Sequence, residues 1–181
     1  MSVRKLVVSV VSLMTTLCFL AGFSLAHAEE QLMSPESFLA ETFAGKAPQS
    51  KLLVLPAELR DQVQAVLGHP YEGMRIRYWW LDGKSAWILD EIGKEKPITL
   101  GVSIHDDKID SVQVLVYREE RGGEIRLSSF RDQFRQTQLT SDQSLDKKID
   151  GISGATLSVN AVRNVARLAL VLHRYVVAKA S

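Results

Sequence analysis

The stretch from residue 74 to residue 117 constrains the fold more than any other part of the chain. Residues 74–81 are rich in aromatic and β-branched side chains, Asp82-Gly83 is a hairpin turn signal, and residues 85–90 return. A polar break at 93–97 follows. Residues 98–104 then alternate, Asp106-Asp107-Lys108 turns, and residues 109–117 return, with Val112, Val114 and Val116 on one face at period two. At least four strands therefore come as two consecutive hairpins, and consecutive hairpins build an antiparallel sheet.

Helices flank this core on both sides. Ser34-Pro35-Glu36-Ser37 is a helix start, with Ser34 as cap and Pro35 in the first turn, and Phe38, Leu39 and Phe43 then share a side. Residues 47–50 read as a loop and 51–55 as a short apolar run. Residues 56–67 read as a second helix, with Leu59, Val63, Val66 and Leu67 at helical spacing, stopped by Gly68-His69-Pro70. Residues 125–134 predict a helix with Phe130 and Phe134 one turn apart, and 136–148 a polar surface loop. Residues 157–178 form the longest predicted helix. Leu157, Ala161, Val165, Leu168 and Leu172 make its packing side, and Asn160, Arg163, Asn164 and Arg167 its wet side. Its arginines argue against a membrane span, since one near a bilayer centre costs at least ~2.5 kcal/mol. The order predicts an α+β fold: an antiparallel sheet of two consecutive hairpins with helices packed on it and a long C-terminal helix. The expected division is a helical segment at 29–72 and a second unit at 73–181.

Residues 1–28 are expected to be a secretory signal peptide. Arg4 and Lys5 precede an apolar run over 6–23, and Ala26 and Ala28 suit a peptidase that accepts small side chains. The expected location is periplasmic. The alternative is an uncleaved helix anchoring the chain to the inner membrane, because the run is long enough to span. Cys18 is the only cysteine and would leave with the signal. The mature chain would then have neither a disulfide nor a cysteine nucleophile. Loss of Arg4 and Lys5 takes the formal charge from +1 to −1. With no basic cluster interleaved with aromatics, this argues against a nucleic-acid partner.

Chemistry concentrates at residues 150–158, Asp-Gly-Ile-Ser-Gly-Ala-Thr-Leu-Ser. Gly151, Gly154 and Ala155 let a bulky group approach the backbone. Ser153, Thr156 and Ser158 offer hydroxyls at the start of the long helix, where unpaired N–H groups and the positive dipole end favour an anion such as phosphate. Ordinary helix capping explains the same residue types. Elsewhere, Tyr78, Trp79, Trp80 and Trp87 could stack on a ring, but such strand aromatics are more often core or sheet surface. His69, His105 and His173 are scattered. His105 beside Asp106-Asp107 reads as a polar turn more readily than as a metal pair. No metal site and no substrate-specific catalytic set stands out.

Asp150, Ser153, Gly154, Ala155 and Thr156 match D-x-x-[ST]-G-A-T, and the chain here resembles the FMN-binding domain family. That family includes flavin subunits of the sodium-pumping NADH:quinone reductase and of Rnf electron-transport complexes. The paired hairpins, Tyr117-Arg118-Glu119, Gly123 to Ile125 and the Phe130–Phe134 pair extend the likeness over most of the mature chain. The resemblance implies covalent FMN, joined by a phosphoester to Thr156 and attached by a separate FMN transferase that uses FAD and a divalent metal. It implies cofactor contacts from Ser153, Gly154, Ala155, Asp150, Ser158 and Glu119. For Asp150, a part in recognition or proton removal stands beside a turn-forming role. Where the respiratory subunits carry Glu-Thr-Pro-Gly-Leu-Gly, this chain has Glu119-Glu120-Arg121-Gly122-Gly123-Glu124, which suggests a side branch.

The implied function is an electron carrier working between an unidentified redox donor and acceptor, rather than a stand-alone catalyst. A reversible binder of FMN or another phosphate ligand is the second reading, and an accessory protein of an envelope redox complex the third.

Overall fold

The computed structural model describes residues 29–46 and 48–180. The expected signal at 1–28, with Cys18, lies outside them. Strands β1 (Glu30–Gln31), β2 (Ser50–Val54), β3 (Arg75–Leu81), β4 (Lys84–Ile92), β5 (Pro97–His105) and β6 (Lys108–Tyr117) form one sheet. Its order is β1-β6-β5-β4-β3-β2, antiparallel throughout. The helices are α1 (Pro35–Thr42), α2 (Ala57–Leu67), α3 (Ser128–Arg131) and α4 (Thr156–Ala180). This is the α+β architecture expected from the two hairpins.

The central hairpins turn as their residues predict. Asp82 and Gly83 have φ of 50° and 77°, and Asp106 and Asp107 have 52° and 59°. Positive φ at both turn positions matches the right-handed twist of the strands, and Asp tolerates it better than most residues. The segment expected to be helical also supplies both edge strands. β1 pairs Glu30 with Tyr117, and β2 pairs Leu52 with Arg77. A two-residue strand carries no readable alternation. The run at 51–55 has its exposed apolar residues, Leu52 and Val54, at the sheet edge.

One correction bears on the site. Strict alternation would put Val116 on the face of Val112 and Val114. A bulge opposite the Thr99–Leu100 step inserts Leu115, so Val114 pairs with Leu100 but Val116 with Thr99. Val116 therefore packs on the α1 face, and Tyr117 joins the core on the α4 face.

The two faces are covered unequally. On one, Ser34 Oγ accepts the Ser37 N–H at 3.0 Å to start α1, and Phe38 lies flat against β5. It fits because residue 101 is glycine: a Cβ there would stand 3.0 Å from three ring carbons. On the other face α4 carries the main core, with Val162, Val165, Ala166, Ala169 and Leu172 fully enclosed over Trp87, Leu100 and Val102. Leu157, expected on the packing side, is 50% exposed instead. No helix among the described residues is long and apolar enough to cross a membrane.

The expected helix at 125–134 is broken. Short 3₁₀ turns at Gly123–Arg126 and Asp132–Phe134 flank α3, and Leu127 is extended between them with ψ of 137°. The break lets Ile125, Phe130 and Phe134 all reach the core, with the two rings edge to face at 5.6 Å. The polar loop that follows is strapped to the wet side of α4. Arg163 donates to the Ile149 carbonyl, Arg167 Nε to Gln143 at 3.1 Å, and Arg174 to Leu139 at 2.8 Å.

Candidate functional site: a cavity at the start of the long helix

The motif folds as a turn that feeds α4. Ala155 N–H donates to the Ile152 carbonyl at 3.1 Å, closing a turn in which Gly154 has φ of 80°. Glycine is favoured at that third turn position because L side chains resist positive φ. The first helical bond runs from Val159 N–H to the Ala155 carbonyl at 2.9 Å. The N–H groups of Thr156, Leu157 and Ser158 thus have no partner within the helix, and they sit at its positive end. Thr156 is exposed, whereas Ala155 and Ser158 are buried.

Thr156 opens on a cavity of about 560 Å³. Gly154, Ala155, Leu157 and Ser158 complete the helix-start wall. Facing it are Lys94, Glu95 and Lys96 from the β4–β5 turn and Glu119, Glu120 and Arg121 from the end of β6. A second cavity of about 880 Å³ adjoins it, shares Glu119, Glu120, Arg121 and Gly154, and reaches Ser153, Gly122 and Gly123. Three of the wall residues, Lys94, Lys96 and Arg121, are cations suited to a phosphate.

Glu119 binds this wall together. Its Oε1 accepts the backbone N–H groups of Lys94, Glu95 and Lys96 at 2.5, 2.7 and 3.0 Å. Burial raises its pKa, but the N–H groups of Lys96, Glu95 and Lys94, with the Lys94 charge, outweigh that and hold the carboxyl below its ordinary value. One oxygen of the carboxylate expected to contact a flavin is thus engaged with the β4–β5 turn.

Tyr117 joins the two walls. Its hydroxyl donates to the Arg121 carbonyl at 2.5 Å and lies 3.5 Å from Ser158 Oγ. Burial pushes its pKa up, so it stays a donor at neutral pH. Gly122, with φ of 86°, brings the loop against the helix start: a Cβ there would stand 2.7 Å from Ser158 Oγ. At the outer rim, Glu29 pairs with Arg118 at 2.8 Å and Glu30 pairs with Arg126.

The structure thus gathers Ser153, Gly154, Ala155, Thr156, Ser158 and Glu119 at these two cavities. Asp150 is exposed, lines neither, and its backbone N–H donates to Gln133 Oε1 at 2.7 Å. The strand aromatics also lie elsewhere. Trp87 is enclosed and stacks on Tyr78 at 4.9 Å, Trp80 stacks on His173 at 5.4 Å, and Trp79 packs on the α1 face. His69 bonds Glu91 at 3.1 Å, His173 bonds Ser85 at 2.7 Å, and His105 stands 3.8 Å from Asp106 at an exposed turn. Among the described residues no group of His, Cys, Asp and Glu could hold a metal ion.

Lys94 and Lys96, which lie in the polar break, and the Tyr117 hydroxyl are site groups that local sequence pattern does not disclose. Leu157, expected on the packing side of the helix, lines the cavity. The only sequence signal for the turn was its Gly93–Pro97 frame.

This cavity at a helix start brings small residues, cations and N–H groups without helical partners together, a chemistry suited to a phosphate-bearing ligand. Residues 93–171 match the model of the FMN-binding domain family, which places this domain in that family. The matched stretch contains both walls, from the turn at Lys94 to the helix beyond Ser158. The domain is flavin-binding, with a role in electron transfer. No curated protein matches the chain.

Proposed function

We propose that this is an exported electron carrier that holds FMN by a phosphoester on Thr156. The carrying observation is the position of that hydroxyl: exposed, on the first residue of α4, at the mouth of a cavity of about 560 Å³. Ligand pockets run from about 300 to 1,000 Å³, and the two adjoining cavities together offer room for a phosphate near α4 and a ring beyond it. The N–H groups of Thr156, Leu157 and Ser158, with Lys94, Lys96 and Arg121, would hold the phosphate. Gly122, Gly154 and the exposed Leu157 would admit and flank the ring system. FMN supplies transfer of one or two electrons, and the surrounding groups set its potential.

A threonine hydroxyl is a weak nucleophile without a base. Among the described residues the cavity lining includes no histidine. Both points favour attachment by a separate FMN transferase, using FAD and a divalent metal. Export by a signal at 1–28 fits this chemistry, because a covalent bond retains FMN where free flavin is scarce.

Co-expression with an FMN transferase is the test. The chain should become yellow, with flavin fluorescence surviving denaturing electrophoresis and the modified peptide containing Thr156. Thr156→Val should abolish this labelling. Flavin that co-purifies with Thr156→Val as it does with the parent, and leaves both on denaturation, would establish reversible binding instead.

A further inference from the structure

The side of α4 that carries Thr156 continues into a shallow dish of about 460 Å³. Thr156, Asn160, Arg163 and Arg167 share one side at helical spacing, and Lys147 and Lys148 face them from the strapped loop. Among the described residues no carboxylate lines the dish. Three of its four cations are fixed by neutral acceptors: Arg163 on the Ile149 carbonyl, Arg167 on Gln143 at 3.1 Å, and Lys147 on Arg135 at 2.6 Å. A carbonyl positions a cation without cancelling its charge. None of the four has an ion-pair partner among the described residues. Most neighbouring acids are engaged elsewhere: Asp142 accepts from Thr140 and Ser144, and among the described residues only the exposed Asp150 carboxylate stands open beside the dish. Asp146 Oδ1 accepts the Gln138 N–H at 3.0 Å, and Glu91 faces His69 and Asn164. Gathered cations repel one another, and an anionic surface laid over them relieves that repulsion.

A protein of ordinary footprint centred on the Thr156 hydroxyl lies over this dish. At 1.5 Å per residue, Asn160 is about 6 Å and Arg167 about 16 Å along the axis from Thr156. An ordinary interface covers about 800 Å² on each partner, a disc of roughly 16 Å radius. We infer that the cationic dish docks an acidic face of the FMN transferase. This rests on Thr156 being the flavin acceptor. In the step it serves, Thr156 Oγ bonds to the FMN phosphorus of FAD and the diphosphate P–O bond breaks. AMP leaves with the electron pair, and the hydroxyl proton passes to a base of the transferase. Nothing is oxidised or reduced.

The test is steady-state flavinylation of the full chain by a purified FMN transferase with FAD and Mg²⁺, followed by in-gel fluorescence. Reversing both lysines, Lys147→Glu with Lys148→Glu, should raise KM for this chain about tenfold and leave kcat within about twofold. The parent rate at low substrate should fall between about 50 and 300 mM salt, and the variant rate should not. Lys147→Arg with Lys148→Arg keeps the charges and should keep the parent KM. A labelled parent with unchanged KM in the reversed variant, or a loss confined to kcat, overturns the docking role alone. Salt dependence found only in reoxidation of the bound flavin does the same. No label on the parent sinks the Thr156 reading and the docking role with it.

Discussion

The two walls of the cavity are built in opposite ways. The helix-start wall comes from consecutive residues: the turn at Gly154, then Ala155 to Ser158. Its chemistry is that of any α-helix start, where N–H groups lack partners. The facing wall is assembled from two stretches about 25 residues apart and held by one carboxylate oxygen on three N–H groups. The first wall forms wherever α4 forms. The second exists only when β4, β5 and β6 stand in register, with the Leu115 bulge turning Tyr117 toward α4. A binding site can thus combine a local anion cradle with a clamp that reports the integrity of the sheet.

Removing the clamp should have the largest effect on this contrast. Glu119→Ala leaves three N–H groups without their acceptor. Hydrogen bonds to charged groups contribute ~1.5–3 kcal/mol each, but this half-exposed turn can regain water, so a net loss of about 2 kcal/mol is expected. Amide exchange should show protection lost at Lys94, Glu95 and Lys96 and kept at Val159. Flavin labelling should slow although Thr156 is intact. Glu119→Gln retains an acceptor oxygen without the charge and should keep only part of the protection. If Glu119→Ala leaves the three amides protected, the facing wall holds itself and the contrast fails.

A smaller effect is expected where the walls touch. Gly122→Ala places a methyl 2.7 Å from Ser158 Oγ and 3.2 Å from the Tyr117 hydroxyl, at φ of 86°. The backbone conformation alone costs about 1–2 kcal/mol. Thermal unfolding should move down by several degrees. Adding Ser158→Ala should recover the part of the steric cost owed to Ser158 Oγ and leave the conformational part. Full recovery would mean that the loop moves freely against the helix, so the walls are not joined there.

The sequence disclosed the two walls to different depths, for the same reason. Residues 150–158 were legible because turn, helix start and hydroxyl spacing are all local. The central hairpins were legible from Asp82-Gly83 and Asp106-Asp107, whose turn geometry depends on two residues each. The β4–β5 turn was not. Nothing near Lys94 says that an acceptor 25 residues later will bind it. Period-two counting also misplaced Val116, because a bulge is a property of the strand pair and not of either strand. The edge strands β1 and β2 were hidden likewise: a strand two residues long has no period, and one at an edge need not alternate.

Acid provides the gentlest probe of the contrast. Burial raises the Glu119 pKa, but the three N–H groups and Lys94 bring it below the ordinary 4.5. A carboxyl depressed in the folded state binds fewer protons there than when unfolded. Its stabilisation is complete above about 4.5, the ordinary value, and is lost as pH falls through the folded one. Exchange at Lys94, Glu95 and Lys96, corrected for its intrinsic pH dependence, should therefore lose protection on that limb before the amides of α4 do. Glu119→Gln has no such titration and should show a flat profile over the same range. Parallel loss in the parent and in Glu119→Gln would assign the acid limb to other carboxyls. The clamp would then be neutral in character, an amide or a carboxyl serving it equally.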